Sequence, residues 1–416
     1  MVKNDRMDAI VNLHGFKADR VRAVRCNKCN YRLDATMIEP LTRMPCPGCG
    51  NPLYVPAKVG DYLLLRQLGR GGMGTVYGAW DSVLQRAVAI KVMLPPEGET
   101  PDWATLETEA RSAARLNHPH VAQVYTFGYH KNQPFLVMEL VRGHQLDEFI
   151  STDIPMDGRF AIGVALQVTD GLAQAAERNL LHSDIKPENI MIGPVGGAKL
   201  VDFGLAGTAG TGSGAAGKIV WGSPHYVAPE RLQRKSASIR SDMYSLGATL
   251  YHVLAAKTPF SGDDPKTVMM SRLTVTPEPL KSLRPDLPDE AEALIARMMA
   301  IEPGRRHPTY ASLIGDLKRV QDVMGGEIDV SEYTSKRFGA SPTQTGRNRR
   351  VVTRASLSNT TSARPPSPTR MTATETTGTV VPSGMSLKLK LGLALAVLFL
   401  VVVIIVSVVA ILKYSA

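Results

Sequence analysis

The sequence predicts an α+β fold class, with a strand-rich portion followed by a helical portion. Strand-like sequence begins at residue 61 and continues through the segment RAVAIKVM at residues 86–93. A helix is predicted over residues 156–180, and the 416-residue chain is long enough for one large bilobal domain with further segments. Those further segments are a cysteine cluster before the domain and an uncharged apolar run after it.

The cysteines of the chain are confined to a short stretch before the domain. They form two C-x-x-C pairs with sixteen residues between the pairs: Cys26, Cys29, Cys46 and Cys49. Asn30 and Gly50, which follow the two pairs directly, tolerate the left-handed backbone of such a turn. Two turns of this kind predict a tetrahedral structural Zn²⁺ site and resemble a zinc ribbon. The site could be purely structural, regulatory, or a redox-active thiol pair, and the sequence leaves these alternatives open. Cysteines confined to one cluster favour a metal site in a reducing compartment over a set of disulfides.

A glycine-rich segment opens the strand-rich portion. Gly69, Gly71 and Gly74 form G-x-G-x-x-G, which alone is a weak signal because dinucleotide-binding turns share it. Strand-like sequence follows here, where a dinucleotide-binding unit would have a helix. The segment is therefore predicted to be a β-hairpin that covers phosphates.

The most informative segment covers residues 181–204, with H-x-D-x-K-P-E-N and, after twelve further residues, D-F-G. Phosphoryl transfer needs a positioned nucleophile, divalent metal on the phosphates and cations where charge develops. Asp184 can accept a hydroxyl proton, and Lys186 can approach a γ-phosphate. Asn189 and Asp202 can hold Mg²⁺ or Mn²⁺. This order and spacing resemble the catalytic segment of bacterial, eukaryotic-like (Hanks-type) Ser/Thr protein kinases.

The resemblance covers residues 61–322 and implies the bilobal protein-kinase fold, with a β-rich small lobe and a helical large lobe. It implies ATP as cosubstrate and Ser or Thr hydroxyls of proteins as acceptors. The residues that it assigns to ATP binding are Gly69, Gly71, Gly74, Val76, Lys91, Glu109, Glu139 and Val141. Lys91 would contact the α- and β-phosphates and pair with Glu109, for which Glu107 is the competing candidate.

The apolar segment FLVMEL, residues 135–140, resembles the hinge between the two lobes of a kinase. Met138 would be the gatekeeper, although a core methionine explains it equally well. Main-chain groups of Glu139 and Val141 would then meet the edge of the adenine.

Six further matches to the family are assigned to architecture or regulation: His182, Phe203, Ser223, Glu230, Asp242 and Arg306. Asp242 resembles the buried carboxylate that anchors the catalytic loop. Arg306 resembles the partner of Glu230 in the A-P-E motif. Ser223 stands where Thr is usual, and its hydroxyl could bridge Asp184 and Lys186.

One residue departs from the family pattern. Ser183 precedes Asp184 at a position where many kinases have an Arg that meets an activation-loop phosphate. We therefore expect activity that does not depend on loop phosphorylation. Thr208, Thr211 and Ser213 are candidate autophosphorylation sites, and nothing in the sequence selects among them.

The sequence after the large lobe predicts a tether to a membrane. Residues 323–390 are rich in Ser, Thr, Pro and Arg and predict a disordered linker. Residues 391–412 are apolar and uncharged, and at 1.5 Å per residue they span about 33 Å, enough to cross a bilayer. Lys388 and Lys390 precede the run and Lys413 follows it, so the positive-inside rule places the kinase domain in the cytoplasm. Gly392 and Ala396 could support a dimer.

The predicted domains are an N-terminal segment without assigned function, a zinc ribbon, the kinase domain, the linker, one transmembrane helix and a short tail: residues 1–22, 23–56, 61–322, 323–390, 391–412 and 413–416. Residues 50–60 are expected to be a connecting linker.

Charge and composition separate the remaining alternatives. The net charge is +10, but eight Lys or Arg and no acid lie in residues 336–370, where anionic lipid explains them as well as nucleic acid does. Exposed aromatics are too few for a nucleic-acid platform, so nucleic-acid binding is not expected. A pseudokinase scaffold that binds partners through the ribbon is the main alternative, and a small-molecule phosphotransferase the next. The intact catalytic set argues against the first and the A-P-E motif against the second.

Overall fold

The structure is a computed structural model that describes residues 10–71, 74–94, 103–151, 153–193, 197–203, 224–262, 264–328 and 330–338. All of them belong to one compact unit, Met1–Arg347. Ser223, the predicted activation loop, most of the predicted linker and the apolar run at residues 391–412 lie outside the described residues. Among the described helices, none is long and apolar enough to cross a membrane.

The strands of the described residues form one large sheet and three small ones. They are β1 (Ile10–Leu13), β2 (Phe16–Arg20), β3 (Ala23–Arg25), β4 (Arg32–Asp34), β5 (Arg43–Pro45), β6 (Pro52–Tyr54), β7 (Ala57–Val59), β8 (Tyr62–Gly71), β9 (Gly74–Asp81), β10 (Arg86–Met93), β11 (Val124–His130), β12 (Gln133–Glu139), β13 (His144–Gln145), β14 (Ile190–Ile192) and β15 (Ala198–Leu200). The eight-stranded sheet has the order β1-β2-β7-β8-β9-β10-β12-β11.

Most helices of the described residues lie in the second lobe. They are α1 (Trp103–Ala114), α2 (Gly158–Ala176), α3 (Pro229–Leu232), α4 (Ile239–Ala255), α5 (Pro265–Thr274), α6 (Leu280–Leu283), α7 (Asp289–Met298), α8 (Tyr310–Val323) and α9 (Val330–Phe338). Single 3₁₀ turns cover Leu146–Phe149, Pro187–Asn189 and Pro303–Arg305. The predicted α+β class, with a strand-rich first lobe and a helical second lobe, is confirmed.

The glycine-rich segment forms the predicted β-hairpin. Strands β8 and β9 are antiparallel, and Gly71 pairs with Gly74 across their turn. Gly74 has a φ of 144°, and a Cβ built there would lie 1.9 Å from the carbonyl oxygen of Val92. Only glycine fits at this point, because β9 passes so close to the backbone of β10.

The N-terminal residues extend the large sheet, which the sequence did not predict. Strands β1 and β2 pair with each other, β2 pairs with β7, and β7 pairs with β8. Residues 10–20 are therefore part of the small lobe, and the expected linker at residues 50–60 contains β6 and β7. Strands of three to five residues carry too few alternating positions to be recognised from pattern alone.

The first and last parts of the large sheet meet, so the sheet curls around its core. Gln133, at the start of β12, accepts the amide N–H of Lys17 at 2.6 Å and donates to the carbonyl of Gly15 at 2.8 Å. Asp19 forms an ion pair with Lys131 at 2.6 Å. The N-terminal hairpin thereby covers apolar side chains of the sheet that would otherwise face water: Val11, Leu13, Phe16 and Ala18 pack with Tyr77, Val88, Ile90 and Val137.

The four-cysteine module, residues 23–56, is inserted between two paired strands of this sheet. It leaves from β2 and returns into β7, and Arg20 lies opposite Ala57 in their register. Inside the module, β3 pairs with β4 and β5 with β6. The module is therefore joined to the small lobe at both of its ends.

The second lobe is built around buried helices. Its first helix is α2. The Asp157 carboxylate caps the first turn of α2 by accepting the N–H of Arg159 at 2.8 Å. Helix α4 is buried over most of its length, from Ser241 to Leu254. A helix that is buried on every face must be surrounded, and α2, α6 and α7 contact it here.

Helix α9 corrects the expected disorder at the beginning of the predicted linker. The ring of Tyr333 stacks on Phe160 with centroids 4.3 Å apart, and Phe338 stacks on His144 at 4.1 Å. The backbone N–H of Asp157 also donates to the hydroxyl of Tyr333 at 3.1 Å. Residues 323–390 are poor in aromatics on average, but these two rings lie near their start and bury apolar area against the lobe.

Candidate active site

The loop that carries Asp184 is anchored by a buried carboxylate. Asp242, on α4, accepts the backbone N–H of His182 through Oδ2 and that of Ser183 through Oδ1, both at 2.9 Å. Ser183 has a left-handed φ of 65°, which is unfavourable for a residue with a Cβ. Burial raises the pKa of Asp242, and the two N–H groups partly offset that cost by favouring the charged form. The predicted anchoring role of Asp242 agrees with this geometry.

Asp184 lies beside Lys186 and Asn189. Its Oδ2 accepts the Lys186 ammonium at 2.8 Å and the Asn189 amide at 3.1 Å. Asn189 also donates to the Asp184 carbonyl at 2.8 Å. Burial alone would raise the pKa of Asp184, but the charge and hydrogen bond of Lys186, the charge of His182 and the hydrogen bond from Asn189 together outweigh it, and the pKa lies below its usual value. The carboxylate is therefore ionised at neutral pH and able to accept a proton.

Asp202 follows Val201, whose N–H donates to the carbonyl of Asn189 at 2.9 Å and so brings the two segments side by side. Its Oδ2 forms an ion pair with the Lys91 ammonium at 3.1 Å, and its own φ is 59°. His182 supports the adjoining backbone by hydrogen bonding through Nε2 to the carbonyl of Val201 at 2.9 Å. The Phe203 ring packs edge-on against His182 with centroids 5.0 Å apart. Lys91 and Asp202 are thus brought together, as a nucleotide and metal site requires.

Glu109 and Glu107 occupy different surfaces of α1. Glu107 pairs with Arg111 one turn later at 2.6 Å and faces outward. Glu109 is half-buried, and burial raises its pKa to about 7. Within the described residues Lys91 pairs with Asp202, so the expected contact of Lys91 with Glu109 stays a prediction for the nucleotide-bound protein.

The expected hinge segment, residues 135–140, forms the end of β12 and continues one residue past it. Met138 is buried among Ala89, Leu106 and Val124, where it contributes to the core between the sheet and α1. The N–H of Glu139 donates to the carbonyl of Gln123 at 2.8 Å. Val141 lies two residues beyond the strand. The backbone at this point leaves the sheet, which is where main-chain groups can meet a ligand.

The two glycines that end β8 are uncrowded where phosphates are expected. Among the described residues other than the chain neighbours, no heavy atom lies within 4 Å of a Cβ built on Gly69 or Gly71. Val76 lies on β9 and packs, half-buried, with the apolar side chains between the sheet and α1. Its partner across the sheet is Lys91. Five of the predicted ATP-binding residues therefore lie on the adjacent strands β8, β9 and β10: Gly69, Gly71, Gly74, Val76 and Lys91.

Glu230 and Arg306 form the predicted buried pair. Two parallel hydrogen bonds of 2.7 and 2.8 Å join the guanidinium to the carboxylate. The same guanidinium donates to the carbonyls of Ala300, Arg240 and Ile301, so all five of its N–H groups have a hydrogen-bond acceptor. Burial opposes ionisation of Glu230, but Arg306 lowers its pKa below the usual value. This pair fixes the segment around Ala228 to the end of the lobe.

Three contributors to this site were not identified from the sequence. Lys199 pairs with the carboxylate of Glu139 at 2.9 Å, and Ser241 donates to Glu230 at 2.8 Å. Arg272 donates to the carbonyl of Val227, one residue before the A-P-E motif, at 2.6 Å. Each joins segments far apart in the chain. No local pattern could have predicted these contacts, apart from the Ser238-x-x-Ser241 start of α4.

The four cysteines converge as the spacing predicts. All four Sγ atoms lie within 4.8 Å of one another, and the contacts Cys26–Cys49 and Cys29–Cys46 measure 3.6 and 3.5 Å. A tetrahedral site with Zn–S bonds of about 2.3 Å places sulfurs about 3.8 Å apart. Asn30 and Gly50 have left-handed φ values of 60° and 70°, as expected. Backbone N–H groups lower the pKa of Cys26 to about 6, whereas the pKa of Cys29 is raised by the neighbouring cysteine sulfurs despite the N–H of Tyr31, which lowers it. The donor set fits zinc.

Glu230→Gln tests the buried pair. Removing one charge leaves Arg306 buried without its counter-ion, so we expect a loss of about 3 kcal/mol in the free energy of unfolding. Urea unfolding followed by tryptophan fluorescence measures it. The matched control is Glu302→Gln, which breaks the exposed pair with Arg305 and should change stability by less than about 0.5 kcal/mol. Equal effects of the two substitutions would contradict this account.

The raised pKa of Glu109 predicts a pH-dependent stability. The unfolded carboxyl ionises near 4.5 and the folded one near 7, so stability falls as pH rises through that window. The melting temperature of the wild-type chain should therefore decline relative to Glu109→Gln between pH 5 and pH 8. Glu107→Gln, which removes a carboxylate paired with Arg111 on the same helix, is the matched control. A pH-independent difference for Glu109→Gln would be the contrary result.

Comparisons with known proteins agree with this geometry. A family model described as protein kinase domain matches residues 62–315. Serine/threonine-protein kinase PrkC of Bacillus subtilis is 32% identical over 280 residues, which cover 67% of this chain and 42% of PrkC. Serine/threonine-protein kinase PknL of Mycobacterium tuberculosis is 33% identical over 276 residues, covering 66% of this chain and 69% of PknL.

A solved structure shares the fold. The crystal structure of Rad53 1-466 in complex with AMP-PNP aligns with a TM-score of 0.52 and 23% identity, over 62% of this chain and 64% of that one. At this identity the likeness concerns the fold alone. The protein kinase family model matches more than half of the residues of this chain. The chain therefore belongs to the protein kinase family, among the bacterial serine/threonine-protein kinases.

Proposed function

We propose that this chain is an active kinase that transfers the γ-phosphate of ATP to Ser and Thr hydroxyls of protein substrates. The observation that carries the proposal is the cluster of Asp184, Lys186 and Asn189 opposite the Lys91–Asp202 pair. An intact set of this kind is what in-line phosphoryl transfer requires. A pseudokinase scaffold would not need to retain it.

Each residue of the site has a distinct role in the proposed mechanism. Asp184 orients the acceptor hydroxyl and takes its proton as the oxygen–phosphorus bond forms. Lys186 neutralises charge on the transferred group, and Lys91 binds the phosphates that remain with the leaving group. Asn189 donates through Nδ2, which leaves its Oδ1 for a metal alongside Asp202. Bound Mg²⁺ or Mn²⁺ would supply charge compensation on the phosphates.

Asp184→Asn is the direct test of activity. The substitution keeps size and hydrogen bonding but removes the proton acceptor, so transfer from radiolabelled ATP to a protein acceptor should fall at least about 100-fold. Asp170→Asn serves as the control, because this carboxylate of α2 is exposed and pairs with His118. Near-normal transfer by Asp184→Asn would refute the mechanism. No transfer by the parent chain, with nucleotide still bound, would favour the scaffold.

We propose further that Cys26, Cys29, Cys46 and Cys49 hold one structural Zn²⁺. Support comes from the mutual distances of the four sulfurs and from the amide groups of Lys28 and Gly48, each 3.4 Å from a sulfur. Several thiolates this close repel one another unless a cation lies between them. Metal content of one zinc per chain, lost in Cys46→Ser, is the expected result.

We also propose that residues 391–412 anchor the chain in the cytoplasmic membrane as a single span, with the kinase domain in the cytoplasm. The length and apolarity of that run and the lysines before it support the proposal. Deleting residues 391–412 should move the chain from the membrane fraction to the soluble fraction. Proteolysis of spheroplasts from outside should leave the kinase domain intact, and cleavage of that domain would reverse the orientation. A dimer through Gly392 and Ala396 remains part of this proposal.

A further inference from the structure

We infer that metal occupancy of the four-cysteine module sets the nucleotide affinity of the cleft, through strands β2 and β7. The inference rests on the proposed zinc site and on the kinase function. If the module were a separately folded domain, bound zinc would stabilise that domain alone. Here the module is inserted into the sheet that carries the glycine-rich hairpin, so its folding and the position of that sheet are joined.

The first connection is at the base of the module. Arg20, the last residue of β2, reaches into the module and donates to the carbonyl of Ile38 at 2.6 Å and to that of Thr36 at 3.3 Å. Glu39 lies 3.7 Å from the same guanidinium. The N–H of Leu41 donates to the carbonyl of Val55 at 2.7 Å, and Leu41 packs on the core of the small lobe. The module is therefore fixed to the sheet by side-chain as well as main-chain contacts.

The second connection leads to the glycine-rich hairpin. Strand β7 has only three residues and lies between β2 and β8. Ala57 and Val59 are fully buried, and Val59 pairs with Tyr62 at the start of β8. So short a strand keeps its place only while its neighbours and the chain that enters it are ordered. That entering chain is the end of the four-cysteine module.

The third connection leads to β12, the strand that ends in the expected hinge. Gln133 contacts the turn between β1 and β2 through two hydrogen bonds, and Asp19 pairs with Lys131. Both partners belong to the β11–β12 hairpin, and β12 ends at Glu139. Movement of β2 would therefore reach both walls of the nucleotide cleft, the glycine-rich hairpin and the hinge.

The metal supplies most of the order in the module. Its own buried apolar residues are few: Leu33, Ala35, Leu53 and Val55 with Cys26 and Cys46. Structural zinc supplies most of the folding free energy of such units, so the metal-free module should unfold. Unfolding it frees Arg20 and the chain entering β7, and the sheet loses the contacts that hold β7 against β8.

Linkage makes this inference testable in both directions. If zinc raises nucleotide affinity by some factor, bound nucleotide must raise zinc affinity by the same factor. We expect a factor of about 5 to 150, the usual range of coupling between two sites. The zinc affinity of the full chain in detergent micelles is measured with a competing chelator, without nucleotide and with saturating Mg·AMP-PNP. Because the folded, metal-loaded chain is the starting point, general denaturation cannot produce the effect.

The matched variants are Arg20→Met and Arg32→Met. Both remove one positive charge near the module and leave the four cysteines in place. Arg20 bridges module and sheet, whereas Arg32 lies exposed on β4, opposite Arg25. Arg20→Met should still bind one zinc per chain but bring the coupling factor close to one. Arg32→Met should retain the full factor.

Each outcome has a separate meaning. Zinc affinity unchanged by Mg·AMP-PNP in the wild-type chain, with one zinc bound and phosphate transfer intact, would overturn the inference alone. A coupling factor equal in the two variants would overturn the role of Arg20 and the route through β2. Absence of bound zinc would instead refute the proposed metal site, and absence of phosphate transfer with nucleotide bound would refute the proposed kinase activity.

Discussion

The buried carboxylate of Asp242 is the constraint on which the catalytic geometry depends. It accepts the N–H groups of His182 and Ser183 and so fixes the backbone in a left-handed turn just before Asp184. That turn directs Asp184 toward Lys186 and Asn189. The cost of burying this carboxylate is partly offset by the two N–H groups that it accepts, and the same two hydrogen bonds hold the strained backbone of Ser183.

Around this loop, pairs of opposite charge join segments that are distant in the chain. Lys91 from β10 meets Asp202, Lys199 from β15 meets Glu139, and Arg306 meets Glu230. Desolvation opposes every such pair, so geometry decides whether it stabilises. The Glu230–Arg306 pair satisfies its donors with further carbonyls, whereas Lys91 and Asp202 pair through Nζ and Oδ2 at 3.1 Å.

The small lobe of this chain contains more than the strands that bear the site. Strands β1, β2 and β7 extend the sheet, cover apolar side chains and carry the four-cysteine module between them. After the second lobe in sequence, α9 packs onto that lobe and stacks Phe338 on His144, close to the expected hinge. Segments before and after the catalytic lobes thus pack onto them near the nucleotide cleft.

The sequence alone determined the α+β class, the glycine-rich hairpin, the catalytic segment and the convergence of the cysteines. These features follow from residue type at short spacing, such as Asn30 and Gly50 after each C-x-x-C pair, so local pattern is sufficient. Only the tertiary structure decided that residues 10–20 and 57–59 belong to the large sheet, that α9 packs on the lobe, and that Lys91 pairs with Asp202. Short strands and isolated aromatics carry little local signal, and ion pairs across the cleft depend on how the chain returns to itself.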